Sequence, residues 1–222
     1  MDGMLPLDDD NPTHRTPFVT WALIAANVLA FLWQLDFGLE RSVMRFGFIP
    51  ADLSRGDMTE LPHSLYSMFM HGGWLHLLGN VWFLRIFGDN IEDELGHLKF
   101  LIFYLLCGFA ADAAHYISAP MSKIPVVGAS GAISAVLGAY MIRHPTARVR
   151  AWTGFWFHPI AELPAIVFLF FWAAMQFLMA VSTIGMKGGG VAYWAHLGGF
   201  IAGVIFILIF GPRRRAWKPG EW

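Results

Sequence analysis

Long, mainly apolar runs constrain this chain more than any other feature of its sequence. Such runs cover residues 18–35, 100–117, 165–184 and 191–210. A helix needs about 20 residues to cross a hydrocarbon core roughly 30 Å thick. Of the 222 residues, 56% are hydrophobic and 14% are charged, whereas soluble domains carry about a quarter charged residues. The sequence therefore predicts an all-α polytopic membrane protein.

Two further segments bring the expected number of spans to six. One covers residues 71–87 and carries His76 and Asn80 within its apolar length. The other covers 130–142, is short, and begins with Ser130. Polar side chains inside a span are costly and usually serve a function, so these three residues become candidates for a site.

The remaining segments divide the chain into a membrane domain, residues 17–211, and two tails. Residues 1–16 are polar and acidic, which predicts a short mobile tail on the cytoplasmic side, and 212–222 form a basic cytoplasmic tail. Residues 36–70 mix aromatic and charged side chains and are expected at the membrane interface. Residues 89–99 are expected to form a charged turn.

The distribution of basic residues predicts the orientation of the six spans. The side that holds both termini carries ten Lys and Arg residues, and the other side carries five. By the positive-inside rule both termini lie in the cytoplasm, and Ser130 opens toward the outer face. We expect the protein in a bacterial inner membrane.

Composition also excludes several kinds of partner. The net charge of -1 argues against nucleic acid, and a single cysteine, Cys107, excludes an internal disulfide and a cysteine-rich metal site. His71 and His76 are five residues apart and do not share a helix face, which disfavours a metal pair. With no phosphate-loop motif present, no cofactor is expected.

Ser130 is flanked by Gly128 and Gly131, which leave its hydroxyl unshielded at the start of an apolar helix. It lies about 20 Å of helix from the charged end at Arg143. His196 lies about 22 Å from the helix terminator that follows its own span. A serine and a histidine at matched depth predict a nucleophile and its general base.

Small residues predict that these two helices touch. Gly199 and Gly203 follow His196 on one helix face, and Ser134 and Gly138 follow Ser130 on the other. Small-xxx-small stripes allow close packing of helices in lipid. Such stripes are equally compatible with a purely structural contact.

Acyl transfer also needs hydrogen-bond donors for an oxyanion. The first backbone N–H groups of the serine helix point outward with its positive dipole end, and His76 and Asn80 could add side-chain donors. Alternatively, these two side chains bond each other or a backbone carbonyl. Asp112 and His115 could orient the base, although a hydrogen bond within their own span is favoured and a dyad is simpler.

Four segments together resemble the rhomboid intramembrane serine proteases. They match that family's HxxxxHxxxN, GxSG and AHxxGxxxG motifs and its acidic segment, in order, within residues 60–211. The matching segments are 71–80, 87–92, 128–131 and 195–203.

The resemblance implies a six-helix rhomboid-like bundle whose fourth helix is short. It implies peptide-bond hydrolysis in or beside transmembrane segments, with Ser130 as nucleophile and His196 as base. His76, Asn80 and the Ser130 N–H would line the oxyanion hole, and Glu92 would be structural. The implied partners are the lipid bilayer and single-span substrates. The fifth span and residues 185–190 resemble the family's mobile gate and cap.

Two departures from the family pattern are present. Residues 36–70 lack the Trp-Arg pair that the family often has there. Ser134 stands where some members have a tyrosine that stacks on the base, so Tyr193, Trp194 or water could hold the His196 ring instead.

Two alternatives compete with the enzyme. A catalytically silent relative that escorts transmembrane helices would share the fold but normally lacks the serine or the histidine. A transporter or channel would show broken helices and charges near mid-membrane.

Overall fold

The computed structural model describes residues 5–154, 156, 159–184 and 191–212. The expected basic tail, 212–222, and the expected cap, 185–190, fall almost entirely outside these residues. The described part is mainly helical. Its helices are α1 (Phe18–Phe37), α2 (Leu39–Phe46), α3 (Pro50–Ser54), α4 (Glu60–Ser67), α5 (Trp74–Leu95), α6 (His97–Ser118), α7 (Ser130–Arg143), α8 (Ala165–Ser182) and α9 (Tyr193–Phe210). Its strands are β1 (Leu5–Asp9), β2 (Arg148–Trp152) and β3 (Ile160–Pro164).

Four of the described helices, α1, α6, α8 and α9, are long and apolar enough to cross a bilayer. The chain is therefore an integral membrane protein. Helix α5 has 22 residues but is interrupted by polar side chains, and α7 has only 14 residues, or about 21 Å. Length and composition thus give four spans where the sequence predicted six.

Helix α7 lies at the centre of the bundle and packs closely against α9. A Cβ atom on Gly199 would lie 2.0 Å from the carbonyl oxygen of Gly131, and one on Gly203 would lie 2.0 Å from that of Ala135. The backbones of the two helices therefore touch directly, and only glycine fits on α9.

The face of α7 in this contact differs from the predicted one at one position. Ser134 was expected on it, but Gly131 and Ala135 approach the α9 glycines instead. The Ser134 hydroxyl donates to the Ser130 carbonyl oxygen of its own helix at 2.6 Å. Gly138 does face α9, where a Cβ would lie 2.2 Å from the Phe200 carbonyl oxygen.

The charged turn predicted over 89–99 is wrong, because α5 continues to Leu95 and α6 begins at His97. Gly96, with φ +76°, makes the connection alone. The side chain of Glu92 is buried and accepts hydrogen bonds from the start of α1. The donors are Val19 N at 2.9 Å, Thr20 N at 2.7 Å and Thr20 Oγ1 at 2.7 Å. Glu92 thereby ties α5 to α1.

The mobile N-terminal tail is also wrong for residues 5–9, which form β1. Strand β1 pairs antiparallel with β2, and β2 pairs antiparallel with β3. Side chains reinforce the pairing, since Arg150 donates to Asp8 and the Tyr140 hydroxyl donates to Asp9. The sheet therefore fastens the start of the chain to the segment between α7 and α8.

Candidate active site

Ser130 is the first residue of α7, and the loop that precedes it is held from both sides. Gly128 adopts φ +118°, a conformation that favours glycine. Its N–H donates to the Ser67 carbonyl oxygen at 2.8 Å. Among the described residues no side chain caps the first turn of α7, so the positive end of the helix faces the site.

His196, in the first turn of α9, meets Ser130 directly. Its Nε2 lies 2.8 Å from Ser130 Oγ, which is hydrogen-bonding distance. The close α7–α9 packing below the pair fixes this separation. The two residues that the sequence predicted as nucleophile and base are therefore brought together.

The other side of the His196 ring is contacted by α8. Nδ1 of His196 lies 2.7 Å from Gln176 Oε1. The Trp172 ring contacts the imidazole in a tilted arrangement, with a centroid distance of 6.2 Å and an angle of 30° between the planes. Tyr193 contacts the ring edge-on, with a centroid distance of 6.3 Å. Of the ring partners suggested by the sequence, Tyr193 is present, whereas Gln176 and Trp172 were missed.

His76, on α5, lines the opposite wall of the serine loop. A Cβ atom on Gly128 would lie 2.5 Å from His76 Nε2, so this nitrogen points at the loop. Nδ1 of His76 accepts a hydrogen bond from the Gly72 N–H at 3.3 Å. A neutral ring that accepts at Nδ1 carries its proton on Nε2. His76 consequently presents an N–H donor toward the loop that holds Ser130.

Asn80 is buried one turn farther along α5. Its Nδ2 donates to the backbone carbonyl oxygen of His76 at 2.9 Å. This is the backbone bond that the sequence left open as an alternative to an oxyanion role. One amide hydrogen of Asn80 is used in this way, and an amide has two.

Asp112 supports the serine loop from α6 through two serines of α4. Its carboxylate accepts from Ser64 Oγ at 2.6 Å and from Ser67 Oγ at 3.5 Å. Since the Ser67 carbonyl receives the Gly128 N–H, Asp112 stabilises the loop indirectly. The hydrogen bond expected within its own span is wrong, because Asp112 bonds to side chains of α4. The two serines carry no motif and were missed.

No group of three His, Cys, Asp or Glu side chains that could hold a metal ion occurs in the part of the chain that the structure describes. The side chains gathered at the site are a serine, histidines and amides.

Comparison with known proteins decides the family. The family model described as "Rhomboid domain" matches residues 59–213 of this chain. The chain belongs to the rhomboid family. This rhomboid protein is 31% identical over 190 residues to the presenilin-associated rhomboid-like protein, mitochondrial, of Homo sapiens. The aligned residues cover 83% of this chain and 46% of the relative.

Two more distant relatives carry the same family name. Rhomboid protein 1, mitochondrial, of Saccharomyces cerevisiae is 26% identical over 221 residues, covering 95% of this chain and 60% of the relative. RHOMBOID-like protein 5 of Arabidopsis thaliana is 27% identical over 148 residues, which cover 66% of this chain and 43% of the relative. The rhomboid protein described here spans about half the length of the curated relatives it matches.

Proposed function

We propose that this protein is an intramembrane serine endopeptidase that hydrolyses peptide bonds in or beside transmembrane segments. The observation that carries the proposal is the 2.8 Å contact between His196 Nε2 and Ser130 Oγ at the half-buried start of α7. A serine hydroxyl is a weak nucleophile until a positioned base removes its proton. Membership of the rhomboid family agrees with this chemistry.

The reaction follows from the two side chains. The Ser130 proton passes to His196 Nε2 as Oγ bonds to the scissile carbonyl carbon. The carbon–nitrogen bond then breaks, and the imidazolium returns the proton to the leaving amine. Water repeats both steps on the acyl-enzyme, which releases the new carboxylate and regenerates the Ser130 hydroxyl. Both steps balance in atoms and protons with these groups and water alone.

The oxyanion formed in each step would be stabilised by three donors. The Ser130 N–H is at the positive end of α7, His76 presents its Nε2–H from α5, and Asn80 contributes its second amide hydrogen. Donors fixed before the reaction cost no reorganisation when negative charge develops. Gly128 permits this arrangement, because any side chain there would occupy the space of the His76 ring.

We also propose that α5 and α7 complete a six-crossing bundle. Helix α5 is about 33 Å long at its 22 residues. Helix α7 is short, but residues 131–140 are all buried by neighbouring helices, so it need not match the bilayer thickness as a lipid-exposed helix must.

The excess of Lys and Arg near the termini favours a cytoplasmic or matrix-type location for both ends. The named human and yeast relatives are mitochondrial proteins, which conflicts with the bacterial inner membrane expected from the sequence. We therefore propose only the side of the membrane on which the termini lie, and not which membrane holds the protein. The proposed substrates are single-span membrane proteins whose helices unwind near small residues, and nucleic acid has no part.

Labelling with a fluorophosphonate tests the proposal without a known substrate. Such a probe forms a bond with a serine whose proton is being removed. Wild-type protein in liposomes should be labelled, whereas Ser130→Ala and His196→Ala should not. Ser118→Ala removes an exposed hydroxyl at the end of α6 that bonds only a carbonyl of its own helix, and should be labelled like wild type.

Two results would count against a protease. Labelling that persists in His196→Ala would exclude His196 as the base. A folded wild-type protein that is never labelled but still binds transmembrane peptides would favour the silent escort protein.

A further inference from the structure

Both ring nitrogens of His196 have partners: Gln176 at Nδ1 and Ser130 at Nε2. In a neutral imidazole one nitrogen donates and the other accepts, so the partner at one nitrogen determines what the other can do. Gln176 offers a carbonyl oxygen, which only accepts hydrogen bonds. With the Gln176 oxygen facing Nδ1, the hydrogen bond forms when Nδ1 carries the proton, and in a neutral imidazole Nε2 then has a free lone pair. That lone pair faces Ser130 Oγ at 2.8 Å. The opposite tautomer would direct an N–H at the hydroxyl and could not accept its proton.

The position of Gln176 in the chain indicates that this contact is specific. From Ala165 to Val181 the helix consists of apolar residues apart from Gln176 and the Trp172 indole N–H. A polar amide in a membrane-spanning helix is unfavourable unless it has a partner. Within the described residues, the hydrogen bond of the Gln176 side chain goes to His196.

Trp172 lies four residues before Gln176, so both side chains project from one face of α8. The Trp172 ring contacts the imidazole in a tilted arrangement, and it also lies 6.0 Å from the ring of Phe200 on α9. The ring contact restricts the space open to the His196 ring, and the hydrogen bond restricts its rotation and its tautomer. Helix α8 thus supplies the orienting contacts that a tyrosine at position 134 would otherwise supply.

We propose that Gln176 is the positioning residue of the dyad, holding His196 in the tautomer that can accept the Ser130 proton. The inference rests on the proposed function, but it concerns a proton position that can be measured without activity. Within the described residues Gln176 is hydrogen-bonded to His196 and not to Ser130, so its proposed effect on the serine passes through His196.

The test combines imidazole ¹⁵N NMR with fluorophosphonate labelling in liposomes. The His196 signals are assigned by their absence from His196→Ala. Wild type should show His196 protonated at Nδ1. Gln176→Leu should lose this preference and should be labelled roughly 10-fold more slowly or worse, the effect of one lost hydrogen bond on a rate. Gln176→Glu retains an acceptor and should restore both the Nδ1 proton and the labelling.

Phe177→Leu, at an exposed neighbouring position of α8, is the matched control and should behave like wild type. The inference is overturned if His196 in wild type is protonated at Nε2, or if Gln176→Leu leaves tautomer and labelling rate unchanged. A wild type that carries the proton on Nδ1 but is not labelled would support the positioning contact and contradict the proposed protease.

Discussion

At the scale of single residues, His76 and Asn80 differ in which hydrogen-bond donors their existing contacts leave for an oxyanion. His76 has one ring nitrogen committed to the Gly72 N–H and the other free to face the serine loop. Asn80 has already used one amide hydrogen on its own helix. The two candidate oxyanion donors should therefore differ in importance, a ranking that could not be made from their residue types and spacing.

Replacing His76 should affect catalysis more than replacing Asn80. His76→Ala should lower the second-order rate of fluorophosphonate inactivation by roughly 100- to 1000-fold, the usual effect of one oxyanion donor. Asn80→Ala should lower it less. His14→Ala, at an exposed histidine of the N-terminal segment, is the control. Equal losses for the two variants, at unchanged thermal stability, would contradict the ranking.

Residues also differ in how visible they are in a sequence. Ser130, His196 and Glu92 lie in motifs with fixed spacing, so the proximity of the first two and a structural role for Glu92 could be anticipated. Gln176 lies in no motif, and its only signal is polarity within an apolar run. Its partner could not be inferred because helix rotation, which decides whether it faces lipid or His196, is set by packing between α8 and α9.

At the scale of elements, α7 and α9 determine the geometry of the site. Their contact is made by backbone against backbone, so a single methyl group must push the helices apart. Sequence periodicity identified the α9 stripe correctly but placed Ser134 on the α7 stripe. It could not resolve neighbouring faces about 100° apart.

Gly203→Ala should separate the two helices, since its Cβ would lie 2.0 Å from the Ala135 carbonyl oxygen. Overpacking of this kind typically costs about 1–3 kcal/mol, which for a chain of this size lowers Tm by roughly 3 to 10 °C. Gly73→Ala is the control, because a Cβ there meets nothing within 4 Å. Thermal unfolding in detergent measures both, and indistinguishable Tm values would refute the close contact.

The sheet formed by β1, β2 and β3 should respond to pH through Asp9. Burial raises the pKa of Asp9 to about 6, although the hydrogen bond from Tyr140 opposes the shift. The ordinary value is 3.8, so between these values the folded protein binds more protons than the unfolded chain. Stability of the docked strand should therefore fall as pH rises from about 4 to about 6, and should reach its lower level above that range.

Hydrogen exchange of β1 and β2 amides, corrected for the intrinsic rate, measures this effect. Wild type should be better protected near pH 5 than near pH 7. Asp9→Asn should remove the difference, and Asp10→Asn, which alters a neighbouring carboxylate, should retain it. Protection that increases with pH in wild type would show that the sign is wrong.

At the scale of the whole molecule, the number of crossings links the fold to the function. Composition and hydropathy were enough to predict a helical membrane protein. They could not predict β1, because an acidic segment forms a strand only when Arg150 and Tyr140 are brought to it by tertiary structure. They also missed the continuation of α5 beyond Asp89, because Glu92 is stabilised by α1 and not by water.

Cysteine accessibility distinguishes six crossings from four. In right-side-out vesicles, six crossings predict that an impermeant maleimide labels Lys123→Cys but not Lys99→Cys. Four crossings, by α1, α6, α8 and α9, predict the reverse. Asp57→Cys should be labelled and Glu162→Cys should be protected in either case. The native Cys107 is buried, so it should contribute little background.

The measurement that tests the central claim most directly is mass-spectrometric mapping of the fluorophosphonate adduct on folded protein in liposomes. If His196 removes the Ser130 proton, wild type should carry one adduct, on Ser130, and His196→Ala should carry none. An adduct on another serine such as Ser134, or a Ser130 adduct that forms equally fast without His196, would contradict the dyad.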